Sequence, residues 1–427
     1  MTGIIIFILL GVLLFTGMPI SIALGLTVLI YMFALTSVPM EAVALKLFTG
    51  IERFEIMAIP FFILAGNFLT HGGVARRMIR FATALVGHWY GGLGLAGVVS
   101  CALFAAISGS SPATVVAVGS ILMPAMVRAG FPKEFGTGVI TTAGALGILI
   151  PPSIVMVMYA VSTSTSVGAL FMAGVIPGLV LALMLGLVTW ERARRFGYPR
   201  QPVASWAERG VAFRDSIWGL SLIFLVMGGI YSGLFTPTEA AAMSAVYAFI
   251  VAVFIYRDLK ISDVPRVLLE AANMSAMLLY IVTNAILFSF LLTYENIPHA
   301  LSNWMLAQGF GPVLFLLAVN LILLLAGDFM EPSSIILIMA PLLFPVAVGL
   351  GIHPVHFGII LTVNMEIGMV TPPVGLNLYI ASGINRMGLT EVTVATLPWM
   401  MAMLVFLLLV TYWPALSLWL PKALGML

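Results

Sequence analysis

Three long stretches of this chain carry no charge, and they limit what it can fold into. Residues 81–127, 135–190 and 296–327 each pass without a single Asp, Glu, Lys or Arg. A helix needs about 20 apolar residues to cross a bilayer, so several membrane helices must follow one another directly. Apolar runs of this length exclude a β-barrel, whose strands alternate apolar and polar residues. We therefore predict an all-α polytopic membrane protein.

Composition agrees with a chain that is solvated by lipid. Of its 427 residues, 62% are hydrophobic and only 8% are charged, which is too few to cover a soluble surface. We predict about ten to twelve hydrophobic segments, some interrupted by Gly and Pro. Residues 1–14 lack the basic start and cleavage signal of a removable signal peptide, so we interpret them as the first membrane helix.

The basic residues fall into three patches. Lys and Arg cluster near Arg76 to Arg80, in residues 192–214, and near Arg257 to Arg266. Cytoplasmic loops of membrane proteins carry an excess of such residues, so we predict that all three patches are cytoplasmic. This rule explains the basic residues fully, and the formal charge of +2 gives no reason to expect nucleic acid as a partner.

Proline, glycine and threonine positions repeat along the chain at one offset. A shift of 221 residues, without a gap, overlays the following pairs: Pro124 and Pro345, Gly130 and Gly351, Thr141 and Thr362, Gly147 and Gly368, Pro151-Pro152 and Pro372-Pro373, and Pro177 and Pro398. Matched prolines are hard to obtain by chance, so we infer an internal duplication. Duplicated halves with interrupted hydrophobic segments are typical of secondary transporters.

Each half contains two adjacent prolines inside an apolar segment. They lie in residues 147–153 and in residues 368–377. Proline breaks a helix there, and freed carbonyls survive in a membrane only when protein, water or an ion satisfies them. A bound sodium ion takes oxygen ligands and would do so, with the Thr371 hydroxyl beside the carbonyls. The alternative is a plain proline kink, which a matched pair of breaks makes the weaker explanation.

A second polar interruption precedes each break. Residues 108–114 read Ser-Gly-Ser-Ser-Pro-Ala-Thr, and residues 327–334 read Gly-Asp-Phe-Met-Glu-Pro-Ser-Ser. We interpret both as tips of re-entrant hairpins, where the start of the following helix favours an anion such as a carboxylate. The alternative is that small residues here only permit close helix packing.

Other polar residues carry less information. Asp328, Glu331 and Glu366 lie among apolar segments, which makes them functional candidates, although a hairpin tip or a helix end would also explain them. Thr236 or Thr238, with Glu239, predicts a helix start. We interpret Cys101 as a buried small hydrophobe. The five histidines show no spacing that indicates a metal site.

These motifs resemble the large membrane subunit, DctM-like, of the tripartite ATP-independent periplasmic transporters. The resemblance spans nearly the whole chain and is carried by residues 58–62, 108–114, 147–153, 235–240, 364–368 and 371–379. It implies an elevator-type transporter in the bacterial inner membrane, with a scaffold and a mobile transport domain. It also implies two protein partners, a small four-helix membrane subunit and a periplasmic substrate-binding protein.

The resemblance implies a division of the chain and a set of binding residues. Residues 1–80 would be N-terminal scaffold helices, 81–190 the first transport repeat, 191–270 a cytoplasmic basic loop with scaffold helices, and 271–427 the second transport repeat with C-terminal helices. One sodium ion would bind at Ser108, Ser110, Gly147, Ile150 and Pro152, and another at Gly327, Gly368, Thr371 and Pro373. The substrate would contact Ser110, Ser111, Thr114, Ser333 and Asn377.

We therefore predict a secondary active importer subunit that couples sodium to the uptake of an organic acid. The family carries C4-dicarboxylates, which we favour, as well as sialic acid and other carboxylates. The first alternative is a stand-alone sodium- or proton-coupled organic-anion symporter that needs no binding protein. An intramembrane enzyme is disfavoured because the chain has no H-E-x-x-H motif and no second aspartate to pair with Asp328. We expect no cofactor besides the coupling ions.

Overall fold

The computed structural model describes residues 2–36, 38–309 and 311–427, and within these ranges the regular structure is entirely helical. The all-α prediction is confirmed. The first half contains α1 (Thr2–Phe15), α2 (Ile20–Leu35), α3 (Met40–Ile51), α4 (Ala58–His71), α5 (Val74–Val86), α6 (Gly92–Ser108), α7 (Ser111–Arg128), α8 (Lys133–Gly144), α9 (Ile154–Thr163) and α10 (Val167–Arg195). The second half contains α11 (Trp206–Tyr231), α12 (Pro237–Ile250), α13 (Val264–Tyr294), α14 (Ile297–Ala307), α15 (Pro312–Gly327), α16 (Pro332–Gly349), α17 (Pro354–Gly368), α18 (Leu376–Asn385), α19 (Leu389–Tyr412) and α20 (Ala415–Ala423).

Eight helical segments of the described chain are long and apolar enough to cross a membrane. They contain α4, α7, α10, α11, α12, α13, α16 and α19. Five shorter apolar helices, α1, α2, α6, α9 and α15, accompany them. From sequence we predicted about ten to twelve hydrophobic segments, a count that includes hairpin arms and half-helices because composition does not separate these from full crossings.

The duplication inferred from sequence is confirmed in the helix bounds. A shift of 221 residues carries both ends of α7 onto those of α16, and carries the first residue of α8 onto that of α17. Both halves form a hairpin, a helix that stops at the proline pair, and a second half-helix. The peptide bonds Pro151–Pro152 and Pro372–Pro373 are both cis.

The two repeats are inverted relative to each other, and α19 shows this directly. The start of α8 packs against the first half of α19, where the Phe135 and Trp399 rings are 5.7 Å apart. The start of α17 lies instead at the far end of α19, since His356 Nε2 is 3.3 Å from the carbonyl oxygen of Thr411. Therefore α8 and α17 begin at opposite ends of the bundle, which is the arrangement of inverted-repeat transporters.

The remaining long helices pair between the two halves of the chain. Helix α12 of the second half packs on α4 of the first, and α2 of the first half packs on α13 of the second. Helix α12 begins where sequence predicted a helix start, because the Thr236 hydroxyl accepts from the Glu239 N–H at 3.3 Å and the Glu239 carboxylate accepts from the Thr236 N–H at 2.8 Å. The predicted division at residues 81, 191 and 271 stays a prediction.

The three basic patches converge on one face of the bundle. Arg77 on α5 is ion-paired with Asp258, which follows α12. Arg80 Nη1 lies 2.8 Å from Asp215 Oδ2 near the start of α11. Patches separated by more than a hundred residues therefore meet, as expected for loops on the same side of the membrane.

Candidate functional site

The tip of the first hairpin is a compact polar cluster. Helix α6 ends at Ser108, Gly109 turns the chain at φ +60°, and α7 begins after Ser110. The Ser108 and Thr114 hydroxyl oxygens are 3.0 Å apart, and Thr114 Oγ1 donates to the Ser110 carbonyl at 2.8 Å. Ser108, Ser111 and Thr114 are buried and Ser110 is half-buried. Four predicted site residues thus lie together at one turn.

The first proline break lies directly against this tip. A Cβ on Gly147 would lie 2.5 Å from the Ser110 carbonyl oxygen, and one on Gly109 would lie 2.7 Å from the carbonyl oxygen of Pro152. The side chain of Ile150 faces Gly178 of α10, so only its backbone is available to a ligand at the tip. A backbone oxygen of the hairpin and one of the broken helix therefore each lie against a glycine of the other element, and carbonyl oxygens are the hard donors that sodium prefers.

Part of the first break is satisfied internally. Ser153 Oγ donates to the carbonyl of Ile148 at 2.6 Å and accepts from the Met156 N–H at 3.3 Å, which caps α9. One freed carbonyl thus has a protein partner, as the proline-kink alternative requires. The close approach of the Ser110 and Pro152 carbonyls to two glycines is a further feature that a plain kink does not require.

The second proline break likewise packs against the tip of its own hairpin. A Cβ on Gly368 would lie 2.8 Å from Gly327 Cα, and the Val374 N–H donates to the carbonyl of Asp328 at 3.0 Å. Thr371 Oγ1 donates to the Ile367 carbonyl at 2.8 Å, which leaves its oxygen lone pairs free for a cation. The Pro373 carbonyl accepts from Tyr379 Oη at 3.2 Å. Gly327, Gly368 and Thr371 are thus brought together.

The two hairpin tips differ in how the following helix starts. Glu331 caps α16, and its carboxylate accepts from the Ser333 hydroxyl at 2.6 Å and from the Ser333 and Ser334 N–H groups. The start of α7 has no side-chain cap. Since a carboxylate already occupies the start of α16, an incoming carboxylate is better accommodated at the start of α7.

Asn377 connects the two repeats. Its Nδ2 donates to Ser111 Oγ at 2.7 Å and to the carbonyl of Thr141 at 3.3 Å. The Asn377 and Ser111 side chains are fully buried. Within the described chain, Asn377 Oδ1 has no hydrogen-bond partner. Asn377 and Ser111, both predicted to contact the substrate, are therefore hydrogen-bonded to each other between the two repeats. Ser333 lies on the tip of the second hairpin and bonds to Glu331.

Several features of the site were not anticipated from sequence. They are the close approach of Gly109 to Pro152, the capping role of Glu331 and the carbonyl of Thr141. The turn at Gly109 could have been predicted from the Ser-Gly-Ser-Ser motif, because a tight turn between two helices favours glycine. Glu366 is fully buried, and neither of its carboxylate oxygens has a partner among the described residues.

The described part of the chain holds no cluster of metal-ligating side chains. Over residues 2–36, 38–309 and 311–427, His, Cys, Asp and Glu form no group of three that could hold a metal ion. His356 is instead bonded to Ser417 at 2.7 Å. The oxygens at both breaks are carbonyls and hydroxyls, a donor set that fits sodium better than a transition metal.

Two inverted repeats, each with a hairpin tip against a proline-broken helix, define an inverted-repeat secondary transporter. The family is shown by sequence comparison. Residues 7–416 match the family described as "Tripartite ATP-independent periplasmic transporter, DctM component", and the chain belongs to this family. It is therefore a multi-pass protein of the bacterial inner membrane, as predicted.

Two relatives support this assignment, and a solved structure shares the fold. The chain is 69% identical over 440 residues to the C4-dicarboxylate TRAP transporter large permease protein DctM of Rhodobacter capsulatus, covering all of both chains. It is 54% identical to the DctM protein of Pseudomonas aeruginosa, covering 95% of each. The crystal structure of the Alcanivorax borkumensis YdaH transporter shares the fold at a TM-score of 0.62 and 17% identity, over 91% of this chain and 89% of that one.

Proposed function

We propose that this chain is the large membrane subunit of a sodium-driven importer of C4-dicarboxylates. Its partners would be a small four-helix membrane subunit and a periplasmic protein that delivers the substrate. Two relatives that match nearly the full chain at 54% and 69% identity are C4-dicarboxylate permeases by name, and the family is described as tripartite. The role is transport rather than catalysis.

One observation carries the coupling mechanism. In both repeats the backbone of a hairpin tip approaches the backbone of a proline-broken helix so closely that only glycine fits, at Gly147 and at Gly368. The oxygens that meet at each junction are uncharged carbonyls and hydroxyls, although Asp328 and the buried Glu366 adjoin the second junction. Uncharged oxygen sites suit sodium, whereas proton coupling requires a group that gains and loses a proton.

The substrate carboxylate is proposed to dock at the start of α7. This helix end presents the Ser110 and Ser111 region with no side-chain cap, beside the Asn377 amide from the other repeat. The helix dipole favours negative charge there by about 0.3 to 1 kcal/mol or more when partly buried. Because this end lies against the first proposed sodium site, sodium would neutralise part of the substrate charge and couple the two binding events.

Movement of the repeats as an elevator is part of the same proposal. The crossed packing of α12 on α4 and of α2 on α13 gives a helical frame that is built from both halves. The hairpins and broken helices contact each other through Asn377 and Ser111 and could move as one unit. In this proposal α13 belongs to the frame, whereas the division predicted from sequence assigned residues 271–294 to the second transport repeat.

Uptake by reconstituted components tests the tripartite assignment. We expect the purified chain alone in liposomes to accumulate no radiolabelled succinate, and the chain with its small subunit and loaded binding protein to accumulate it. Transport by the isolated chain at the rate of the complete system would favour the stand-alone symporter instead. Replacing the sodium gradient by ATP should not support uptake, since the chain has no G-x-x-x-x-G-K-[ST] loop.

A further inference from the structure

A cavity rich in arginine lies where the three basic patches meet, and none of the predicted sodium or substrate residues lines it. It has a volume of about 670 Å³. Its lining consists of four arginines, one aspartate and four apolar or aromatic residues: Arg76, Arg77, Arg80, Arg214, Asp215, Ile217, Trp218, Ile255 and Tyr256. Two of the four arginines are ion-paired, with Asp258 and Asp215, so the cavity has an excess of two positive charges.

Two of these arginines are fixed by protein contacts. Arg77 is ion-paired with Asp258, donates to the Gly73 carbonyl at 3.0 Å and stacks on the Tyr256 ring at 3.8 Å. Arg80 is paired with Asp215 at 2.8 Å. Their guanidinium groups are thus held in place before any ligand arrives, which lowers the entropy cost of binding.

The other two arginines have no such partner. Among the described residues, Arg76 and Arg214 form no ion pair and no side-chain hydrogen bond, and both are exposed. They belong to different helices, α5 and α11, yet line the same cavity. Two unpaired arginines from two helices on one cavity wall suit a phosphate group, whose oxygens arginine binds through paired hydrogen bonds.

The apolar part of the lining indicates what the phosphate belongs to. Ile217 and Trp218 follow Arg214 by three and four residues, so they lie on the same face of α11, one turn further from its start. They are 40% and 44% exposed, and Phe213 and Phe224 on the same helix are more exposed still. Inorganic phosphate would gain nothing from this surface, whereas acyl chains would cover it. Tryptophan and tyrosine beside arginine are typical of the headgroup level of a membrane.

We propose that this arginine cavity binds the phosphate headgroup of an anionic phospholipid from the cytoplasmic leaflet. Arg76 and Arg214 hold the phosphate, while Arg77 and Arg80 stay paired with Asp258 and Asp215, so that neither aspartate repels the ligand. The acyl chains lie along α11 over Ile217 and Trp218. The bound lipid bridges α5 and α11 and strengthens the packing between them.

Thermal unfolding of the detergent-solubilised full chain tests this proposal. Ligands that bind only the folded state raise the melting temperature. We expect phosphatidylglycerol to raise it for the wild type and phosphatidylcholine to leave it unchanged. The double variant Arg76→Gln with Arg214→Gln should lose most of the shift. The matched control, Arg128→Gln with Arg195→Gln, removes the same charge from two exposed arginines outside the cavity and should keep the shift.

Three results would overturn the proposal. They are a shift of equal size with phosphatidylcholine, a shift retained in the cavity variant, and a full shift with inorganic phosphate alone. If the cavity variant fails to fold, native mass spectrometry of the wild type decides instead. It should show phosphatidylglycerol retained in preference to phosphatidylcholine, and equal retention would contradict the assignment.

Discussion

Replacing Thr371 with valine is expected to weaken the sodium activation of uptake by about ten- to hundredfold. Valine keeps the shape and removes a hydroxyl oxygen that lies at the second break and donates to the Ile367 carbonyl. A lost interaction with a charged group costs about 1.5 to 3 kcal/mol, and about 1.4 kcal/mol corresponds to one decade in affinity. The measurement is the initial uptake rate against sodium concentration in the reconstituted system.

Thr362, on the helix that leads into the second break, provides a control. Its hydroxyl also donates to the carbonyl four residues before it, at the same 2.8 Å, but it lies well before the break. Thr362→Val therefore removes an equivalent helix bond without touching the proposed site, and its sodium dependence should equal that of the wild type. If Thr371→Val and Thr362→Val respond to sodium alike, Thr371 has no role as a ligand.

Replacing Gly147 with alanine is expected to reduce sodium-dependent uptake by at least about tenfold. The added Cβ would lie 2.5 Å from the Ser110 carbonyl oxygen and 2.7 Å from the Ser111 nitrogen. These are backbone atoms that cannot rotate away, so the hairpin tip must separate from the broken helix. Such overpacking costs about 1 to 3 kcal/mol, and here it falls on the oxygens proposed to hold the ion.

Gly383→Ala is the control for this substitution. Gly383 lies in α18, another half-helix next to a proline break, and an added Cβ there meets nothing within 4 Å. Uptake and its sodium dependence should be unchanged, with stability equal or slightly raised. Sodium-dependent uptake that is the same in Gly147→Ala and in the wild type would show that the contact between tip and break is not part of the ion site.

Much of the site was predictable because proline and glycine have strong local effects. The pairs at 151–152 and 372–373 had to interrupt helices, and the offset of 221 residues had to relate the two interruptions. The Thr236 and Glu239 pattern likewise fixed the start of α12 through local hydrogen bonds. Each of these features depends on residues that are close in sequence.

Features that depend on distant residues were not predictable. The contact between Asn377 and Ser111 joins residues 266 positions apart, and neither residue type indicates the other as its partner. The inverted orientation of α8 and α17 follows from their packing on α19, which hydropathy does not reveal. Glu331 was a candidate for coupling, but whether a carboxylate caps its own helix or faces a cavity depends on backbone geometry at the tip.

Ion replacement tests the central claim of sodium coupling most directly. The complete reconstituted transporter is supplied with radiolabelled succinate under an inward gradient of sodium, or of potassium at the same concentration, with and without an imposed proton gradient. The two uncharged oxygen junctions predict that uptake requires sodium and is indifferent to the proton gradient. Uptake that continues unchanged in potassium and disappears when the proton gradient is removed would contradict this account.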